Sequence, residues 1–145
     1  MDVSFLEKYN IAALVMLSQA GMEGGNALAD VLSGAVTPSG KLTDTWGCHY
    51  EDYPSSATFS HNNGNIIEEK YYEGIYVGYR YFDSFEVEPR YPFGYGMSYT
   101  TFDVATENAA WKPDAESKTI TVTVKVTNTG SCAGKEVVQI YACLL

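Results

Sequence analysis

Seven apolar residues in unbroken succession, Ile11-Ala12-Ala13-Leu14-Val15-Met16-Leu17, impose the strongest condition on how this chain folds. A half-exposed strand alternates apolar with polar residues. A run without alternation marks a strand covered on both faces, as in a parallel sheet lying between helices. Such a strand cannot stand alone, so the front of the chain predicts a piece of a layered α/β structure. Before the run, Asp2 to Tyr9 reads as a short helix or turn, with Asp2 as its cap and Phe5 and Leu6 facing inward. After it, the Gly-rich stretch from Gln19 to Gly25 turns the chain into a helix over Asn26 to Ser33. Ala27, Leu28, Val31 and Leu32 share one side of that helix, and Gly34 is its C-terminal stop.

The middle of the chain reads as connection. Thr37 to Asn65 is rich in turn formers, including Pro38-Ser39-Gly40 and His61-Asn62-Asn63-Gly64, and predicts an extended surface loop. Glu73 to Phe82 is aromatic and reads as extended, and the Pro and Gly of Tyr91-Pro92-Phe93-Gly94-Tyr95-Gly96 forbid a regular strand or helix there. Farther on, Ile120, Val122, Val124 and Val126 alternate with Thr119, Thr121, Thr123 and Lys125, the pattern of a half-exposed antiparallel strand. Asn128-Thr129-Gly130-Ser131 turns the chain, and Glu136 to Tyr141 begins a further strand. The residues from Trp111 onward supply two or three strands, whereas an immunoglobulin-like sandwich takes about seven strands and about 100 residues. The expectation is that both halves continue beyond this chain, and that open sheet edges invite self-association.

Composition removes several classes of function. Hydrophobic residues at 46% and charged residues at 19% describe a globular chain with material for a core. A formal charge of −9 with nine Lys and Arg leaves no basic patch for phosphates, so nucleic acid is not a partner. No apolar run approaches the length that spans a bilayer, so no membrane partner is expected. The three cysteines, Cys48, Cys132 and Cys143, are scattered and odd in number, which argues against a disulfide framework and for a reducing compartment. Met1-Asp2-Val3 lacks the basic and apolar segments of a secretory signal, and together these features favour a cytoplasmic setting. His49 and His61 lie alone in turn-like surroundings, so neither a metal site nor another cofactor is expected.

Three groups of acids bear on chemistry. Glu23-Gly24-Gly25-Asn26-Ala27 places glycines ahead of a helix, but it matches neither Gly-x-Gly-x-x-Gly nor Gly-Lys-Ser/Thr. Glu23 then reads chiefly as a cap at the positive end of that helix, and secondarily as a substrate-binding candidate. Glu51 with Asp52, and Glu68 with Glu69 and Glu73, are the carboxylate clusters that sugar hydrolysis could use. Neighbouring acids on a loop point apart, and solvation is their ordinary role. No Gly-x-Ser-x-Gly turn supports a serine hydrolase.

Four segments in order resemble the C-terminal half of glycoside hydrolase family 3, the β-glucosidases, β-xylosidases and relatives. Met22 to Gly34 with Pro38-Ser39-Gly40-Lys41-Leu42 resembles the family's Gly-rich turn, helix and loop. Glu73-Gly74-Ile75-Tyr76-Val77-Gly78-Tyr79-Arg80-Tyr81-Phe82-Asp83 is similar to its interdomain segment, and Tyr91 to Phe102 to the signature leading into the last domain. Val124 to Gly130 with Ala133 to Tyr141 is similar to the opening strands of its fibronectin type III-like domain. Ala20, Met22 and Met97 depart from the Pro, Gln and Leu common in the family.

The resemblance implies a mixed α+β fold: a partial α/β sandwich piece followed by a truncated fibronectin type III-like β-sandwich. The implied division is residues 1–65 for the end of the α/β sandwich domain, 66–102 for an aromatic interdomain connector and 103–145 for the start of the fibronectin-like domain. Tyr79, Tyr81, Phe82 and Phe93 are expected to pack between the portions, with Arg80 tying carbonyls or a carboxylate. The implied parent is a retaining, exo-acting β-glycosidase of β-glucosidase type, meeting its carbohydrate through a barrel domain outside this chain. Its nucleophilic Asp and acid/base Glu both lie outside the chain as well, so no catalytic residue is carried over and the chain alone is expected to be inactive. The alternative is a non-catalytic carbohydrate-binding or scaffold module using the Tyr-rich stretch from Tyr71 to Tyr99 as a stacking platform.

Overall fold

A computed structural model describes residues 3–113 and 118–142, with the side chains of 111–118 outside the description. The fold is mixed α+β, with short helices and two small antiparallel sheets. It divides into two compact units, one made of Met1–Gln19 and Lys41–Gly96, the other of Ala20–Gly40 and Met97–Leu145.

The first unit contains helix α1 (Phe5–Lys8), strands β1 (Trp46–Gly47) and β2 (Pro89–Tyr91), and helix α3 (Tyr79–Ser84). β1 and β2 pair antiparallel with Trp46 opposite Tyr91, and the register slips before Gly47 meets Pro89. Proline has no N–H for a ladder, which suits so short a margin. The returning chain is pinned by a turn in which the Tyr95 N–H donates to the Pro92 carbonyl at 3.0 Å. That turn needs positive φ at its third residue, and Gly94 supplies it at 81°. Leu42 closes both sides of the turn, its N–H donating to Tyr95 O and its carbonyl accepting from Gly94 N–H, each at 2.8 Å. Among the described residues Val3, Trp46 and Phe82 are the buried apolar side chains, at 3%, 4% and 2% exposure. Rings gather around two of them: Trp46 meets Tyr91 edge-on at 5.9 Å, and Tyr53 meets Phe82 edge-on at 5.7 Å.

Several expectations are corrected here. The apolar run Ile11 to Leu17 forms no helix or strand and is exposed throughout, and no strand pairs with it among the described residues. The predicted loop from Thr37 to Asn65 contains two short 3₁₀ turns and β1, including the most shielded stretch of the unit, Thr45-Trp46-Gly47. Glu73 to Phe82 is not extended at its end, because Gly78 at φ 60° turns the chain into α3. Tyr91 belongs to a strand despite its neighbouring prolines. Phe5 points to solvent, while Leu6 is half-buried and Ser4 is the α1 cap. Asp2 lies outside the described residues.

The second unit contains helix α2 (Gly24–Ser33) and a ribbon of β3 (Phe102–Pro113) with β4 (Lys118–Asn128). Gly34 ends α2 in the left-handed conformation at φ 80°, its N–H donating to Val31 O at 3.1 Å. Glu23 stands at the helix's N-cap position, but its carboxylate accepts from the Asn26 side chain at 2.6 Å and not from a helix N–H. The Tyr99 hydroxyl donates to Val31 O at 2.7 Å, tying residues after Gly96 to α2.

Along the ribbon, Val104, Thr106 and Ala109 lie opposite Val126, Val124 and Val122. The alternating face expected of β4 is therefore present, though Ile120 and Val126 are exposed. Glu107 has no partner, because the register slips between Thr106 and Asn108. Beyond the ribbon, Asn128 organises the turn. Its Oδ1 accepts from the Thr100 hydroxyl at 2.7 Å and the Gly130 N–H at 3.0 Å, and its Nδ2 donates to Cys132 O at 2.8 Å. Glu136 to Tyr141, expected to begin a strand, forms none.

Candidate functional site

A cleft of about 520 Å³ in the first unit is lined by Ser4, Gly47 to Glu51 and Tyr53. Two local devices hold its wall. The Tyr53 hydroxyl accepts from Gly47 N–H at 2.8 Å and donates to Thr45 O at 3.4 Å, folding the segment back on itself. His49 and Asp52 form a reciprocal cap on the first 3₁₀ turn, in which Asp52 Oδ2 accepts from His49 N–H at 2.6 Å. The Asp52 carboxylate is thus engaged by backbone, and Glu51 beside it is exposed. The cleft offers the Glu51 carboxylate, the His49 imidazole and the Cys48 thiol, which approaches Glu88 O at 3.8 Å.

The members of the other acidic cluster have different surroundings. Glu68 makes an exposed ion pair with Lys70 at 3.4 Å, and Glu69 is half-buried. Glu73 is distinct: its Oε2 is shielded from solvent and without a hydrogen-bond partner, as is Thr45 Oγ1. Sequence carried no signal for that difference, because shielding of Glu73 is set by tertiary contacts. Its exposed neighbours Tyr71 and Tyr72 lead toward an aromatic series in which Tyr76 meets Phe85 at 5.2 Å and Tyr81 meets Phe85 at 4.9 Å.

Tyr79, Tyr81, Phe82 and Phe93 all make ring contacts inside the first unit. Arg80 is exposed and makes no hydrogen bond or ion pair among the described residues, contrary to the expected tie to carbonyls or a carboxylate. Arg90 has that role instead, donating to Glu7 Oε1 at 2.6 Å. The hydrogen bond to Glu7, and then its charge, raise the Arg90 pKa above the ordinary arginine value.

Among the described residues no three His, Cys, Asp or Glu side chains group as metal ligands, and no helix is long and apolar enough to cross a membrane. Cys48 and Cys132 are exposed free thiols, and His61 Nδ1 lies 2.8 Å from Asn65 O. Cys143 falls outside the described residues.

The family model of the glycosyl hydrolase family 3 C-terminal domain matches residues 1–99. The chain belongs to that family. Its similarity to family 3 proteins extends past the matched domain. It is 44% identical over 142 residues to a β-glucosidase of Ruminococcus albus, covering 97% of this chain and 14% of that protein. It is 46% identical over 133 residues to β-glucosidase BoGH3A of Bacteroides ovatus, covering 90% of this chain and 18% of that protein. Among solved structures, β-glucosidase 3B from Thermotoga neapolitana in complex with glucose superposes with a TM-score of 0.73 at 44% identity, over 82% of this chain and 16% of that one. A β-glucosidase from Paenibacillus barengoltzii gives a TM-score of 0.76 at 43% identity, over 90% and 14%. This family 3 chain thus spans less than one fifth of the length of these relatives.

Proposed function

We propose that this chain is a segment of a retaining, exo-acting β-glycosidase of β-glucosidase type, supplying structure and not the reacting carboxylates. The observation carrying this reading is the contrast between near-complete coverage of this chain and the 14% share of the Ruminococcus relative. The segment runs from the end of the α/β sandwich domain (1–65) through the aromatic connector (66–102) into a fibronectin type III-like start (103–145). The alternating face of β4 supports the last assignment, as do the residues that resemble the family's opening strands.

A retaining mechanism needs two carboxyl groups about 5 Å apart, one as nucleophile and one as acid/base. Three of the candidate acids are placed otherwise: Asp52 caps a turn, Glu23 holds Asn26, and Glu68 pairs with Lys70. Incubated with an aryl β-glucoside, the chain should release no phenol. Turnover abolished by substituting one carboxylate would overturn the reading. In a chimera, this segment replaces its counterpart in the Ruminococcus β-glucosidase. A folded chimera should keep kcat within about tenfold of the parent, as expected when the reacting groups are untouched. A folded chimera without activity counts against a scaffold role.

A second reading, a carbohydrate-binding module, draws on the exposure of Tyr71 and Tyr72 and on the stacked pair Tyr91 and Tyr95, 4.7 Å apart. Titration with glucose or cellobiose, followed by tryptophan fluorescence, should saturate if it holds and stay flat under the scaffold reading.

A further inference from the structure

Seven asparagines occur in the chain, and Asn63 alone is followed by glycine. The pair sits in the turn His61-Asn62-Asn63-Gly64, with both residues exposed and outside any α-helix or strand. An asparagine amide can be attacked by the backbone nitrogen of the next residue, closing a five-membered ring. The reaction needs an unhindered nitrogen and a main chain free to bend toward the side chain. Gly64 meets both needs: it has no side chain, its φ is 80°, and no atom lies within 4 Å of a Cβ built there. The other asparagines are placed less well. Asn26 is inside α2, and Asn108 and Asn128 are paired in β3 and β4, so helix or ladder fixes their backbone. Asn10 and Asn65 precede Ile11 and Ile66, whose branched side chains crowd the nitrogen. Asn62 has its side-chain amide committed, donating to the Tyr50 hydroxyl at 3.3 Å and to Ser56 O at 3.1 Å.

We propose that Asn63 is a site of spontaneous covalent modification, at which the side-chain amide is lost and aspartate and isoaspartate are left. Asn63 Oδ1 accepts from the Asn65 N–H at 3.0 Å, which polarises the carbonyl under attack and meets the charge that gathers on its oxygen. The Gly64 nitrogen, deprotonated by solvent, bonds to Asn63 Cγ. The Cγ–Nδ2 bond breaks, and the shed proton leaves on ammonia. Water then opens the succinimide, its hydroxyl going to carbon and its hydrogen to the Gly64 nitrogen. Opening at Cγ gives an aspartate at position 63, and opening at the main-chain carbonyl gives isoaspartate, with the backbone routed through Cβ. That rerouting displaces the acceptor from the Asn65 N–H. Asn65 in turn holds the Ile67 and Glu68 N–H groups through its own Oδ1, at 3.0 and 3.2 Å, so the isoaspartate loosens the loop as far as Glu68. Two hydrogen bonds restrain the reaction: Gly64 N–H donates to His61 O at 2.8 Å, and His61 Nδ1 donates to Asn65 O at 2.8 Å. Both are exposed, and opening them at about tenfold each slows the folded chain by less than about a hundredfold against the unfolded one.

The full 145-residue chain, held in neutral buffer and sampled by isoelectric focusing and by mass mapping of its peptides, tests this. A species with one negative charge beyond the formal −9 should accumulate, and the peptide containing position 63 should resolve into two products of equal mass. Conversion should accelerate from neutral to mildly alkaline solution, because the attacking nitrogen is a conjugate base. Asn63→Ser keeps a side-chain oxygen for the Asn65 N–H but has no amide to lose, so it should lose the acidic species. The same chain unfolded in guanidinium chloride supplies the reference rate, which does not depend on how well the variant folds. First conversion at another asparagine overturns the proposal, as does an acidic species undiminished in Asn63→Ser or a rate indifferent to pH. So does an Asn63 that survives more than about a hundredfold longer in the folded chain than in the unfolded one.

Discussion

The Asn128 side chain satisfies three separate groups in the second unit. It accepts from a nearly buried hydroxyl, accepts from the Gly130 N–H and donates to the Cys132 carbonyl. Replacing it with Ala leaves the Thr100 hydroxyl shielded and unpaired, and should cost about 2 kcal/mol of ribbon stability. Asn128→Asp retains both acceptor contacts and loses only the donation, so it should fall between wild type and Ala. Amide hydrogen exchange of β4 residues reports both. Gly130 is constrained by the same packing. An added Cβ would overlap Thr100 Oγ1 and approach Thr101 N at 3.1 Å and Thr100 Cα at 3.2 Å. Backbone cannot yield as a flexible side chain does, so Gly130→Ala should raise exchange at the turn even though its alanine is small.

Single elements differ in how much of their stability is local. α2 ends on Gly34 at φ 80°, a conformation that strains any L side chain, while no atom lies within 4 Å of a Cβ built there. Gly34→Ala should therefore destabilise through backbone strain alone, by about 1 kcal/mol, visible as reduced helical circular dichroism on mild heating. This element was legible in sequence because its apolar spacing and its Gly stop are both local signals. β4 was legible because its alternation has no fault. β3 was not. The bulge at Glu107 moves the inward phase from Thr106 to Ala109, so its strand pattern is broken even though its pairing is continuous on either side. β1 and α3 were hidden for another reason. Trp46 gains its burial from Tyr91, far along the chain, and the aromatic residues of Tyr79 to Phe82 favour extended structure until Gly78 redirects them. Glu73, the acid with a shielded oxygen, was named among the candidate carboxylates, but nothing near it in sequence separates it from Glu68 and Glu69.

For the whole molecule, the size of the core is the informative quantity. Among the described residues three apolar side chains, Val3, Trp46 and Phe82, are buried. Trp46→Ala, which in an ordinary core costs about 3–5 kcal/mol, should here abolish the folded first unit and not merely lower its midpoint. The wild-type chain should bind anilinonaphthalene sulfonate and unfold over a broad temperature range. A sharp, single calorimetric transition with no dye binding would contradict this account of the core.

The uncovered stretch from Ala12 to Leu17 carries one more implication. Chaperones and proteases select substrates by exposed apolar segments outside regular structure, and this segment is apolar, exposed and outside any helix or strand. Covering that stretch should lengthen the polypeptide's lifetime in a cell, an outcome that pulse-chase measurement of degradation checks.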